Sequence, residues 1–163
     1  MIPESLGRLA AGFCCILAAC APSGEGIFRD ETVPMGASSR FDATSFAGTW
    51  QIVEAFTPVS SDEIQILAAG ETGDITLLGA AEIRGTYRQG VPGELIPIGG
   101  TQDRLIVMWV DEDVETAVIG LVSGRFGALI DRDGNVPRDR AAAAIDVFEF
   151  FGWTVSALQG FEK

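Results

Sequence analysis

The sequence predicts an all-β fold: an eight-stranded antiparallel up-and-down β-barrel with one C-terminal α-helix packed on its wall. Three observations predict it. From residue 46 onward, short apolar runs alternate with Gly- and Asp-rich turns. The connections GETGD, RQGVPG, IGGTQD, DEDVE and VSGR are short, and short loops join antiparallel neighbours, because parallel pairs need long crossovers. After residue 136 the apolar period lengthens to that of a helix. Eight strands in meander order leave no long unpaired edge if they close on themselves. The 163 residues suit one domain, and 47 % hydrophobic content with mean hydropathy +0.27 excludes a disordered chain.

The first twenty residues stand apart. Leu9 to Ala19 reads LAAGFCCILAA, 11 uncharged residues, too short to span a bilayer as a helix. Arg8 precedes it, offset by Glu4, and Cys20 follows, which suits a signal h-region. A buried apolar helix with a chance LAAC is the alternative. Leu17-Ala18-Ala19-Cys20 resembles the lipobox of bacterial lipoproteins. That resemblance implies cleavage before Cys20 and acylation of its thiol. It also implies outer-membrane sorting, since Ala21 stands where an inner-membrane retention aspartate would. The expected organisation is a signal peptide over 1–19, a lipidated Cys20 with a flexible tether over 20–40, and the barrel with its helix over 41–163. Removal of 19 of 163 residues leaves 144, with neither disulfide nor free thiol. Residues 21–40 are rich in Gly, Ser, Pro and charge, and a flexible tether of that length has an end-to-end distance of roughly 25 Å. Phe28 and Val33 are its candidate docking residues.

The eight strands follow in order: Gly48–Phe56, Glu63–Ala69, Asp74–Leu78, Glu82–Arg88, Glu94–Ile98, Arg104–Val110, Glu115–Leu121 and Phe126–Asp131. Strand six, LIVMWV, is apolar on both faces, one for the lumen and one for the helix. Alternation sets Met108 and Trp109 on opposite faces and does not decide which points inward. In Pro137–Phe151, Ala141, Ala144, Ile145, Phe148 and Phe151 fall on one helical face. Pro137 suits the first turn and Gly152 the position just past the end. The closing WTVSALQGF is expected along the surface.

Phe41-Asp42, Phe46 and Gly48-Thr49-Trp50 resemble the G-x-W signature of the lipocalin family in its bacterial form. Met108 to Gly120 resembles that family's second region, whose aspartate is here Asp111 or Asp113. Ala128 to Asp133 resembles its third, with Arg132 as the arginine. The helix and FFGWTVSAL resemble the tail of bacterial lipocalins anchored as lipoproteins. The resemblance spans about residues 41–161. It departs at Val114 and Thr116, where an aromatic follows the aspartate in the family, and at Gln51, where an aromatic follows the tryptophan. Counting strand ends through the meander puts Trp50, Asp111 and Arg132 at one end of the barrel. The resemblance implies that Arg132 stacks on Trp50 and seals that end, a structural role worth about 0.5–2 kcal/mol.

A barrel of this size encloses one small ligand or is filled by its own side chains. Strict alternation aims Ile52, Glu54 and Phe56 inward with Trp50; a one-residue bulge would turn Glu54 to solvent. Loops near Thr57–Asp62, Gly79–Ala81, Gly99–Asp103 and Val122–Arg125 fall at the opposite, open end. Arg84, Arg104 and Arg125 are placed there as candidates for a carboxylate or phosphate headgroup.

Composition excludes several functions. There is no histidine, the commonest general base and metal ligand, and Lys163 is the only lysine. A net charge of -12 disfavours nucleic acid. The run 131–135, DRDGN, looks like a calcium loop, but Val136 and Ala142 stand where Gly and Glu belong. The acidic run from Asp111 to Glu115 reads as a solvated turn. No catalytic residue, cofactor or metal is expected. The reading that emerges is binding, storage or transport of a fatty acid or lysophospholipid at the envelope, on a membrane anchor facing the periplasm. The alternative is a filled barrel acting as a structural or interaction lipoprotein. An enzyme using Glu54 is a third possibility.

Overall fold

The computed structural model describes residues 26–68, 73–100 and 102–160; the expected signal segment and Cys20 lie outside the described residues. Eight strands close into an antiparallel barrel: β1 (Gly48–Ala55), β2 (Glu63–Ala68), β3 (Asp74–Gly79), β4 (Gly85–Gln89), β5 (Glu94–Pro97), β6 (Leu105–Val110), β7 (Thr116–Leu121) and β8 (Gly127–Asp131). Each pairs with its sequence neighbour. Closure comes from β1, whose Gly48–Gln51 stretch pairs with β2 and whose far edge pairs with β8. This is the up-and-down barrel that the lipocalin resemblance implies. A single-turn helix, α1 (Ala43–Phe46), precedes β1, and α2 (Arg138–Phe150) follows β8. A short strand, β9 (Gln159–Gly160), pairs with β1 at Ala55 and Glu54, where β2 has left it.

Two β-bulges decide what points where. In β1 the register against β8 shifts between Ile52 and Glu54, and in β6 the register against β7 shifts between Val107 and Trp109. An extra residue on one strand reverses the side-chain phase beyond it. Ile52 therefore faces the lumen, as expected, but Ala55 takes the next inward place. Phe56 points outward, under the helix, which corrects its assignment to the lumen. Glu54 takes the bulged alternative: it is half-buried on the outer wall beside Gly160 of β9. In β6 the bulge leaves Met108 and Trp109 both on the outer wall, so the expected opposition fails, and Val110 turns inward.

Helix α2 buries Ala144 and Phe148 against this wall. It ends in a Schellman motif: Trp153 N donates to Phe148 O at 2.9 Å and Gly152 N to Glu149 O at 3.0 Å, with Gly152 at φ +81°. The turn drops Trp153 onto the barrel, where its ring stacks on Phe56 at 4.9 Å and meets Phe148 edge-on at 5.7 Å. Gly120 of β7 and Gly127 of β8 form the pad beneath. A Cβ on either would lie 2.5 or 2.6 Å from the indole, so only glycine admits it.

The described part of the expected tether, residues 26–40, is docked rather than loose. Phe28 N donates to Gly124 O at 2.9 Å, Thr154 N to Phe28 O at 2.8 Å and Ser38 N to Val107 O at 2.8 Å. Arg29 is 5 % exposed and donates to Phe151 O at 3.0 Å, to Val122 O at 3.1 Å and to Val33 O. It ties this strap to the C-terminal end of α2, whose carbonyls carry the negative end of the helix dipole and whose last turn has no basic residue of its own.

Candidate functional site

The barrel has a closed end and a mouth, and each collects sequence-predicted residues. At the closed end Trp50 is fully buried and its Nε1 donates to Phe46 O at 2.9 Å. The Arg132 guanidinium carbon lies 3.9 Å above the Trp50 ring. The same guanidinium donates to Ser45 O at 2.7 Å, Ala47 O at 3.0 Å and, through Nε, Val114 O at 3.3 Å. Burial pulls its pKa below the ordinary value, partly offset by the Glu115 charge. Gly48 is needed twice here. Its φ is +117°, and a Cβ would sit 2.8 Å from Arg132 Nη1. The G-x-W pattern thus provides a gap for the guanidinium and a ring beneath it.

Asp111 is at the same end but does not join that stack. Its Oδ1 accepts from Glu115 N and Thr116 N, each at 2.8 Å, and its Oδ2 pairs with Arg140 at 2.8 Å. Between them, Val114 is held at φ +59°, an unusual conformation for a β-branched residue. Sequence reasoning missed the second buried carboxylate, Asp131. It is 3 % exposed and accepts from Thr116 Oγ1 at 2.7 Å and, on Oδ1, from the N–H groups of Asp133, Gly134 and Asn135. Burial pushes its pKa up, but the hydrogen bonds from Thr116 and the 133–135 turn outweigh burial and hold the carboxyl below the usual range. Its oxygens serve the chain's own donors, so the DRDGN stretch is an Asx-type turn.

The lumen between the two ends is apolar and closely packed. Leu77, Leu95, Leu105 and Ile119 are each 1 % exposed, and Ile64 and Ile130 are 0 %. Tyr87 brings the one hydroxyl of this cluster and donates it to Ile83 O at 2.7 Å. Burial, with the Asp103 charge nearby, pushes Tyr87 up to about 12.

At the mouth, a cavity of about 410 Å³ is ringed by three of the four expected loops and by Glu82, the residue after the fourth. Thr57 and Pro58, Glu82, Gln102 and Asp103, and Ser123 and Arg125 line it, with Leu121 and Phe126 beneath and Gly26 of the strap at the rim. Of the three candidate arginines the cavity takes one, Arg125. Arg84 is exposed outside the lining, its carbonyl accepting from Gln102. Arg104 points down the outer wall, paired with Glu94 at 2.6 Å. It lines a second cavity of about 300 Å³ between strap and barrel, with Arg29, Met35 and Ile106. The mouth therefore carries two carboxylates to one guanidinium rather than a ring of arginines.

No family model and no curated protein matches this chain. Among solved structures, the crystal structure of the cockroach major allergen Per a 4 is similar over 82 % of this chain and 96 % of its own, with a TM-score of 0.57 and 13 % sequence identity. At that identity the likeness is one of fold.

Proposed function

We propose that this chain binds a small amphipathic lipid of the fatty-acid or lysophospholipid class at the barrel mouth, without a covalent step. In this reading it works as an outer-membrane lipoprotein facing the periplasm. The mouth cavity, polar at its rim and apolar at its base, carries the binding proposal. Small-molecule sites in barrels have this character. The LAAC sequence supports the anchor and the location. Between the two lipid classes the lining favours a lysophospholipid. Arg125 answers a phosphate, while Glu82 and Asp103 suit a headgroup ammonium; a fatty-acid carboxylate would meet two like charges.

Leu121 is 7 % exposed and Phe126 1 %, so an acyl chain descends only by moving them. Such repacking costs about 1–3 kcal/mol. Each buried methylene returns about 0.8 kcal/mol, so about four methylenes offset it. Native mass spectrometry of the chain from residue 21, with added lysophosphatidylethanolamine or palmitate, tests the proposal. A one-to-one lysolipid adduct is expected, weakened about tenfold by Arg125→Ala, since losing one charge-assisted contact is worth about 1.4 kcal/mol. If neither lipid binds, the proposal fails.

The close packing of the lumen favours a second reading, a filled barrel that acts as a structural or interaction module. It predicts no adduct with either lipid.

A further inference from the structure

We infer that the barrel mouth, not its closed end or its wall, faces the lipid bilayer that carries the anchor. This rests on the proposed lipidation of Cys20.

The strap fixes the geometry. Gly26 is at the rim of the mouth cavity, and Phe28 N donates to Gly124 O in the loop between β7 and β8. From there the chain descends the outer wall, bonds to Val107 through Ser38, and enters the closed end before β1. Buried Arg29, with its three carbonyl acceptors, clamps the strap, so residues 26–40 lend no slack. The anchored chain thus leaves the barrel at its mouth.

Reach then favours one orientation. Six residue steps from Cys20 to Gly26 extend at most about 20 Å. A strand the length of β1, eight residues, spans about 26 Å along itself and, tilted by about 40° as barrel strands are, rises about 20 Å along the barrel axis. With the closed end on the bilayer, the tether would have to run straight and fully extended down the wall. With the mouth on the bilayer, it need not.

Charge agrees. The four mouth loops (56–62, 80–84, 98–104 and 122–126) hold three acids, Asp62, Glu82 and Asp103, and two arginines that stay there, Arg84 and Arg125, while Arg104 turns down the wall to Glu94, which leaves a net charge of -1. The three strand connections at the other end (69–73, 90–93 and 111–115) hold five acids and no base of their own, and Arg140 of α2, paired with Asp111 and Asp113, offsets one charge. An anionic bilayer repels that end more strongly than the mouth. Exposed apolar side chains do not separate the ends: Ile27, Ile98 and Leu78 are at the mouth, and Val91 and Leu67 are toward the other end. A lipid then passes between bilayer and cavity over a short path beside the strap.

The test uses the full, processed protein in vesicles of phosphatidylethanolamine and phosphatidylglycerol. After cleavage Cys20 is the only native cysteine and is blocked by acylation, so Ala81→Cys at the mouth and Glu112→Cys at the closed end, both at exposed positions, can each be labelled with one fluorophore. Nitroxide headgroup lipids should quench the Ala81→Cys label several-fold more than the Glu112→Cys label. Mass analysis of the Cys20 peptide separates the two ways to fail. An unacylated Cys20 removes the lipoprotein reading and the orientation with it. An acylated Cys20 with equal quenching, or stronger quenching at Glu112→Cys, overturns the orientation alone.

Discussion

The two ends of the barrel are closed by different means. At the closed end, one arginine reaches from β8 across a tryptophan of β1 to carbonyls of α1 and of the 111–115 turn. Four chain segments are tied by a single side chain. At the mouth, the loops are short and leave a cavity. The closed end holds long-range stabilising contacts, while the mouth has room and mixed charge. The difference teaches that substitutions at the two ends should separate: stability at one, the proposed lipid binding at the other.

Arg132→Ala gives the largest expected effect. It removes the cation over Trp50 and the donors to Ser45 and Ala47 carbonyls. The cost is about 3 kcal/mol, from charge-assisted hydrogen bonds plus the ring contact. A urea titration should show the midpoint fall, while lysolipid binding by the folded fraction stays unchanged. Binding lost along with stability would mean that the ends are coupled.

Gly127→Ala should follow at about 2 kcal/mol, because a Cβ there displaces the Trp153 ring from its pad. The variant should show an altered tryptophan fluorescence and a lower melting temperature. A variant as stable as the parent would show that the pad does not constrain Trp153.

Tyr87 reports on the lumen between the ends, and it is the only tyrosine in the chain. Its phenol is pushed up to about 12 by burial and by Asp103. A group whose folded pKa is raised contributes its full stability below the unfolded value, near 10, and loses it as pH rises through about 12. Ultraviolet titration should therefore show no phenolate near pH 10 while the protein stays folded. Phenolate appearing at pH 10 in the folded protein would reveal a wet lumen and count against both the packed interior and the filled-barrel reading.

Much of this was legible in the sequence. Turn composition marks every strand of the barrel to within a few residues, because Gly and Asp interrupt apolar alternation at each reversal. Gly48, Trp50 and Arg132 meet where strand counting places them. The β1 bulge stood only as an alternative for Glu54, and the β6 bulge was not foreseen, since one extra residue leaves no compositional trace. Their only signal is adjacent apolar pairs, Ile52-Val53 and Ala55-Phe56, which break alternation within β1. Missing that break misplaced Phe56, and the equivalent break in β6 misplaced one of Met108 and Trp109. The strap read as a tether because Gly, Ser and Pro set its composition, whereas Phe28, Arg29 and Met35 set its docking. At the mouth, counting found the right loops. It could not show that Arg104 turns to Glu94, because strand position fixes where a long side chain starts and its partner fixes where it ends.

Asp131 gives the smallest expected effect and the finest distinction, since it supports the closed end through charge. Its carboxyl is held below the usual range by Thr116 and by the N–H groups of the 133–135 turn, against the cost of burial. A carboxyl with a depressed folded pKa contributes stability that is fully present above its unfolded value, near 3.8. That stability is lost as pH falls through the folded value. Asp131→Asn keeps the shape and removes the charge, and so should cost about 1 kcal/mol at neutral pH, the difference between charged and neutral acceptors. Melting temperatures of the two proteins should differ at pH 7 and converge in acid, below the range where the parent carboxyl protonates. A constant difference down to pH 2 would assign the loss to altered packing around Thr116 rather than to charge. The closed end would then draw no charge-dependent support from Asp131.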